Sequence, residues 1–343
     1  MKKIKTAVLG CSGLVGRQFV RLLDGHPFFR LSCLTASART AGRETIAGLP
    51  VRETTVAGVV QSGARVVFSA LPAAIAAGLE AELRRQGLFV FSNASPHRLD
   101  PRVPLLIPEV NPEHLALVQI QLREFPGFIV ANPNCVVAGL ALALKPLMPF
   151  GPRAATVTTF QAVSGGGRRG VASWDILGNV IPFIAGEEEK IVRETGKILG
   201  AWTGAGVQAS RLELYPSCSR VPVREGHLQS VSVEFGQQPD CEALAQALAA
   251  FSPEAQRLAL PTAPLRPLVL RGEDDRPQPL LDAMAGEPLR AAGMAVSVGR
   301  LRARGRRCAF FLLVNNTVRG AAGGSVLNAE LAFRKGLLPG GGR

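Results

Sequence analysis

The chain has 343 residues, 47% hydrophobic and 19% charged, a balance that supports a sizeable core and excludes a mainly disordered or collagen-like protein. Lysine and arginine total 39 against 26 acidic residues, and the formal net charge of +13 favours anionic partners. The basic residues are dispersed and there are few polar aromatic platforms, with one Tyr and two Trp, so nucleic acid is not expected as a partner.

In chain order, Ile4–Leu9 is a short apolar run that stops at Gly10, and GCSGLVGRQFVRLLDGH then reads as a glycine turn opening an amphipathic helix. Strand-like runs follow at Phe29–Thr35, Ala64–Ala70, Leu88–Ser92 and Gly127–Ala131, with a helical stretch at Ala73–Gln86. This alternation predicts an α/β domain with a doubly wound parallel sheet. After Pro146 the texture changes. Alternating runs at Ala154–Val163, Leu228–Phe235, Met294–Leu301 and Arg307–Val314 predict a second, α+β domain with a largely antiparallel sheet. Helices are expected over GEEEKIVRETGKILG and Asp240–Phe251, and a long Pro-rich irregular connection over Ser252–Leu281. The final helical segment is expected to return to the first domain, giving a division into 1–133 with 320–343, and 134–319.

No run reaches the ~18 apolar residues that span a bilayer, and the apolar part of MKKIKTAVLG is too short for a secretory leader. No membrane partner is expected, and the cytoplasm is the expected compartment. The six cysteines, at 11, 33, 135, 218, 241 and 308, include no CxxC pair, so neither a metal site nor a disulfide framework is expected. Most read as small buried hydrophobes.

Gly10, Gly13 and Gly16 form G-x-x-G-x-x-G, one residue away from the usual dinucleotide fingerprint, between a predicted strand and helix. There the backbone of Ser12, Leu14 and Val15, with the helix dipole, suits a pyrophosphate; a glycine turn without a ligand is the alternative. No acidic residue precedes Glu44 after the second strand, whereas Ser37 and Arg39 suit a 2′-phosphate. NADP is therefore expected rather than NAD, with a solvated loop charge as the alternative for Arg39.

Cys135 in ANPNC follows a strand and a polar turn and begins an apolar helix, whose N-terminus lowers a thiol pKa; ordinary burial is the alternative. His227 sits in a polar turn ahead of a strand, placed for proton transfer, while His26, His97 and His114 lie in surface-like loop sequences. Glu187, Lys190 and Glu194 fall at helical spacings and read at face value as a solvated face with supporting ion pairs.

Taken together, SNASPHRLDPRVPLLIPEVNPEH, ANPNC, FQAVSG, NVIPFIAGEEEKIVRET, SRVPVREGH, DRPQPLLD and NNTVRGAAGGSVLNAEL are collinear over nearly the full length. In these segments the chain resembles the aspartate-semialdehyde dehydrogenase family, particularly its archaeal and fungal branch. The resemblance implies a Rossmann-type NADP domain and a catalytic domain that also forms a dimer interface. It implies reversible reductive dephosphorylation of L-4-aspartyl phosphate to the semialdehyde, in the pathway to lysine, threonine and methionine. By position, Cys135 resembles the nucleophile, His227 the acid–base residue, and Gln161 the glutamine that arranges both cysteine and substrate. Arg220 resembles the arginine on the substrate α-carboxylate, Glu187 the acid on its α-ammonium, and Lys190 and Arg98 the cations on phosphate. Asn134 falls among the substrate contacts and Asn316 among the cofactor contacts. A homodimer or tetramer is implied, with a small-molecule substrate and inorganic phosphate as partners.

In this reading the backbone N–H groups at Cys135 and the following helical turn serve an oxyanion. Two features depart from the family pattern. Val136 and Val137 follow the cysteine where relatives commonly carry a hydroxyl, and Arg168 and Arg169 occupy a loop where small or aromatic residues are expected. The rival reading is a paralogue that reduces an acyl-CoA, such as malonyl-CoA, by the same thioester chemistry.

Overall fold

Short β-branched and aromatic runs, the central ones buried on both faces, build the first layer of the computed structural model, which describes residues 2–168 and 170–342. Its strands are β1 (Ile4–Leu9), β2 (Phe29–Ala36), β3 (Thr45–Ile46), β4 (Leu49–Glu53), β5 (Val66–Ser69), β6 (Phe89–Ser92) and β7 (Phe128–Ala131). Their order is β3-β4-β2-β1-β5-β6-β7, and every pair is parallel except the edge pair β3–β4. The chain moves outward from β1 to β2 and returns to β5 on the other side. A crevice therefore opens at the carboxyl ends of β1 and β5, the usual ligand position in such sheets. Phe19, Phe29, Phe68, Phe91 and Phe128 fill one side of this layer and are almost fully buried.

The second layer contains β8 (Pro152–Ala162), the small pair β9 (Ala201–Trp202) and β10 (Val207–Gln208), then β11 (Glu213–Val221), β12 (His227–Phe235), β13 (Leu268–Arg271), β14 (Val296–Arg304) and β15 (Arg307–Val314). Its main sheet runs β11-β8-β12-β15-β14-β13. The central pairs are antiparallel as expected, but both edge strands, β11 and β13, pair in parallel with their neighbours. Neither edge strand is distinct in the sequence: β11 contains Pro216, and β13 lies within the stretch expected to be irregular. Pairing to an existing sheet supplied the order that local propensity lacks.

Between the layers runs the helix Cys135–Leu144. Its sequence, CVVAGLALAL, is apolar on all sides, and every residue after Cys135 is buried, as a helix with no solvent face requires. A Cβ on Gly139 would lie 2.7 Å from Val314 Cβ, so this glycine lets the helix approach β15. The last helix, Gly323–Arg334, is buried for nearly its whole length and packs on the helix Leu14–Leu23 and on β6. Among the described residues, no helix is long and apolar enough to cross a membrane.

Two histidines depart from expectation. His26 and His114 are fully buried, because both ring nitrogens of each have partners. His26 Nδ1 accepts from the amides of Phe28 and Phe29, and Nε2 lies 2.8 Å from Glu330 Oε1. His114 pairs with Asn111 through Nδ1 and with the Gly200 carbonyl through Nε2.

Candidate active site

A cleft of about 640 Å³ opens at the crevice between β1 and β5 and continues under the second sheet. At one end lie Gly13, Leu14, Val15 and Gly16. Gly10 has φ +76°, and a Cβ there would lie 2.7 Å from the Ala70 carbonyl oxygen, so only glycine permits this turn. A Cβ on Gly16 would lie 2.0 Å from the Gly10 carbonyl oxygen. Gly10 and Gly16 thus fold the loop tightly, and Gly13 caps the helix Leu14–Leu23 without a side chain over its first turn. The first-turn amides have no intrahelical acceptor, and this cradle fits a pyrophosphate. The Ser12 carbonyl oxygen accepts from Nη1 of Arg168, which lines the cleft, at 3.4 Å. Ser37 and Arg39 are exposed beyond β2 and do not line the cleft. Arg169 lies outside the described residues.

At the other end, Asn134 sets the nucleophile turn. Its Oδ1 accepts from the amides of Val136 and Val137 at 2.8 and 3.4 Å, capping the helix that Cys135 begins. The cap thus engages the amides of Val136 and Val137, two of the groups expected to serve an oxyanion. Asn134 Nδ2 donates to Glu187 Oε1 at 2.8 Å, and its backbone amide donates to Glu194 Oε2 at 2.7 Å.

Cys135 Sγ lies 3.2 Å from His227 Nε2. Burial pushes the Cys135 thiol up to about 12, with the Glu187 charge adding to it, against smaller opposing effects of Arg98, Arg220 and the Val136 amide. The expected lowering by the helix N-terminus is therefore outweighed by desolvation. Burial likewise brings His227 down to about 3, assisted by the Arg220 charge. Both shifts favour the uncharged forms, thiol and imidazole. His227 Nδ1 accepts from the Ala162 amide at 3.0 Å, so the hydrogen-bond network assigns the ring proton to Nε2, facing sulfur.

The remaining expected residues converge from separate elements. Gln161, near the end of β8, lines the cleft and donates to Thr159 Oγ1 at 3.3 Å. Arg220, from β11, lines it too, with Nη1 on the Ala162 carbonyl at 2.8 Å. A Cβ on Gly165 would lie 2.7 Å from that nitrogen, so the loop after β8 passes close over Arg220. Glu187 is buried within the helix Glu187–Ile198, which is not the fully solvated helix expected from charge spacing, and Lys190 Nζ stands 3.7 Å from Glu187 Oε2. Arg98 also lines the cleft, with Nη1 on Glu194 Oε1 at 2.9 Å and Nη2 on the Asn93 carbonyl at 2.7 Å. Asn316 accepts from the Gly226 amide and donates to Ser164 Oγ, joining the loops on either side of the cleft.

Sequence reasoning missed the buried work of Glu194 and Lys197. Their signal was present: both continue the helix face of Glu187 and Lys190 at helical intervals. Among the described residues, no group of three His, Cys, Asp or Glu is arranged to hold a metal ion.

Residues 5–118 match the NAD binding domain of semialdehyde dehydrogenases, and residues 144–319 match their dimerisation domain. The chain belongs to the semialdehyde dehydrogenase family. Among its relatives, aspartate-semialdehyde dehydrogenase from Archaeoglobus fulgidus is 43% identical over 98% of this chain and 100% of the relative. Malonyl CoA reductase (NADP) from Metallosphaera sedula is 36% identical over 98% of this chain and 99% of its own. The crystal structure of aspartate-semialdehyde dehydrogenase with NADP from Candida albicans superposes with a TM-score of 0.86 at 36% identity, covering 98% of this chain and 100% of that one. The Candida albicans structure thus shares the overall architecture of this chain.

Proposed function

We propose that the chain is an NADP-dependent aspartate-semialdehyde dehydrogenase, interconverting L-4-aspartyl phosphate and L-aspartate 4-semialdehyde. The observation that carries this reading is the placement of the Arg220 guanidinium and the buried Glu187 carboxylate in the cleft that holds Cys135. An α-amino acid head group presents the two complementary charges. A malonyl group has no ammonium to meet Glu187.

In the oxidative direction Cys135 Sγ attacks the aldehyde carbon, and its proton passes to the carbonyl oxygen, giving a thiohemiacetal. His227 Nε2–H faces sulfur and donates a hydrogen bond to the oxygen on that carbon; to take up a proton the ring must release the Ala162 amide. Bound NADP would supply the two-electron acceptor for the hydride on that carbon, which leaves a thioester as the hydroxyl proton passes to solvent. A phosphate oxygen, drawn by Arg98 and Lys190, then adds to the thioester carbon, the C–S bond breaks, and the acyl phosphate leaves. Gln161 orients the substrate beside Cys135. Leu14, Val15 and Gly16 would hold the cofactor pyrophosphate through their amides, while the exposed Ser37 and Arg39 would meet a 2′-phosphate extending beyond the cleft. This assigns cofactor binding to residues 1–133 with 320–343 and catalysis to 134–319. The protein works as a cytoplasmic homodimer or tetramer supplying lysine, threonine and methionine synthesis.

The test is NADP reduction by purified protein with L-aspartate 4-semialdehyde, with and without inorganic phosphate. Phosphate-dependent turnover is expected. Reduction of malonyl-CoA by NADPH, with no turnover of the semialdehyde, would replace this reading with the acyl-CoA one.

A further inference from the structure

We propose that Glu194 is a positioning residue that couples the phosphate-binding Arg98 to the turn carrying the nucleophile. The inference rests on the reading of Arg98 as a phosphate contact.

Both oxygens of this buried carboxylate are committed. Oε1 accepts from Arg98 Nη1 at 2.9 Å, and Oε2 accepts from the backbone amide of Asn134, the residue before Cys135, at 2.7 Å. Arg98 Nη2 is held by the Asn93 carbonyl at 2.7 Å. With two of its edges fixed, the guanidinium has one buried N–H, at Nε, without a partner among the described residues. With one N–H used on each Nη, this Nε–H and the second N–H of Nη1 and of Nη2 are the donors left for an anion.

One turn further along the same helix, Lys197 Nζ donates to the carbonyls of Arg98, Asp100 and Val103 at 2.9, 2.8 and 2.8 Å. Its three donors are thus all used on the segment that carries Arg98. Glu187, two turns back from Glu194, takes the side-chain amide of Asn134. A single helix face therefore grips the nucleophile turn through two carboxylates and the arginine segment through a carboxylate and an ammonium. Among the described residues Glu194 bonds both Arg98 and the amide of Asn134, the residue before Cys135, and so relates the phosphate-binding cation to the nucleophile turn.

A carboxylate performs this task and an amide does not. Each Glu194 oxygen faces an N–H donor, so in Glu194→Gln the new NH2 confronts either Arg98 or Asn134. The experiment compares wild type, Glu194→Gln and Glu194→Asp by steady-state kinetics in both substrates. Thermal unfolding confirms the folded fraction. For Glu194→Gln the KM for inorganic phosphate is expected to rise about 10- to 100-fold, as for loss of a charge-assisted hydrogen bond. The KM for the semialdehyde, whose head group meets Arg220 and Glu187, is expected to change less than about threefold. Glu194→Asp keeps both acceptors and the charge, and is expected to recover part of the phosphate affinity. If Glu194→Gln does not fold, Glu194→Asp carries the test, with a smaller rise confined to phosphate. An unchanged phosphate KM, or equal rises for both substrates, overturns the proposal. If wild type shows no phosphate-dependent turnover, the functional reading fails instead. Protection of Cys135 from iodoacetamide by inorganic phosphate, compared between wild type and Glu194→Gln without turnover, then decides the Glu194 question separately: weaker protection in the variant supports it, and equal protection refutes it.

Discussion

At the cofactor end of the cleft, the groups offered to an anion are backbone amides. Leu14, Val15 and Gly16 lie in one turn of one helix, and two close glycine contacts shape them. At the reactive end the groups are side chains: Arg98, Cys135, Gln161, Glu187, Arg220 and His227 come from separated parts of the chain, nearly all buried. The first arrangement is local and withstands change outside its glycines. The second depends on long-range packing: Glu194 holds the Arg98 charge, and Glu187 and Glu194 accept from the neutral Asn134.

The contrast is sharpest in the nucleophile itself. Cys135→Ala removes the covalent step, and kcat is expected to fall by about 10⁴-fold or more, whereas NADPH binding, followed by fluorescence titration, stays within about twofold. A joint loss of both would mean that the two ends are not separable. Gly320→Ala is the next most severe change. Its Cβ would lie 2.6 Å from Cys135 Cβ, so the nucleophile must shift. An expected loss of about 10²-fold in kcat follows from displacing a reacting atom, with little change in the KM for NADPH.

Beneath the reactive end, Glu80 is buried, accepts from Ser92 Oγ at 2.9 Å and stands 3.4 Å from His97 Nε2. Burial raises its carboxyl from 4.5 to about 7, partly opposed by hydrogen bonds from serine hydroxyls. The folded state therefore holds a proton that the unfolded state has lost, and the associated stability is present below pH 4.5 and lost as pH rises through 7. This loss is worth about 3 kcal/mol. Urea unfolding at pH 5 and pH 8 is expected to show it in wild type and not in Glu80→Gln; equal pH slopes would refute the assignment. The smallest effect belongs to the cofactor end. Arg39→Ala is expected to raise the KM for NADPH by about fivefold and leave NADH unchanged, because an exposed cation on a phosphate contributes about 1 kcal/mol.

This division also marks what the sequence made legible. The glycine turn, the parallel strands β1, β2, β5, β6 and β7 and the helix after Cys135 are local patterns readable from spacing and apolar runs, whereas β4 was not predicted. The strands β11 and β13 were not, since neighbouring strands impose their order. At the reactive end, residue identities came from a family resemblance, and the physical states did not. The charge spacing of Glu187, Lys190 and Glu194 suggested a solvated face, yet Glu187 and Glu194 are buried against Asn134 and Arg98. The helix N-terminus suggested a lowered thiol pKa, yet burial beside Glu187 raises it. Local sequence does not encode desolvation, because it depends on the elements that close over a site.

The central claim is that Cys135 carries the acyl group between the hydride and phosphate steps. Rapid-quench intact mass spectrometry of the protein mixed with NADP and L-aspartate 4-semialdehyde, without phosphate, tests it most directly. The account predicts an adduct on Cys135 equal to the substrate less two hydrogens, which inorganic phosphate discharges and which Cys135→Ala lacks. NADPH formation with no such adduct, or an adduct that phosphate leaves in place, would contradict it.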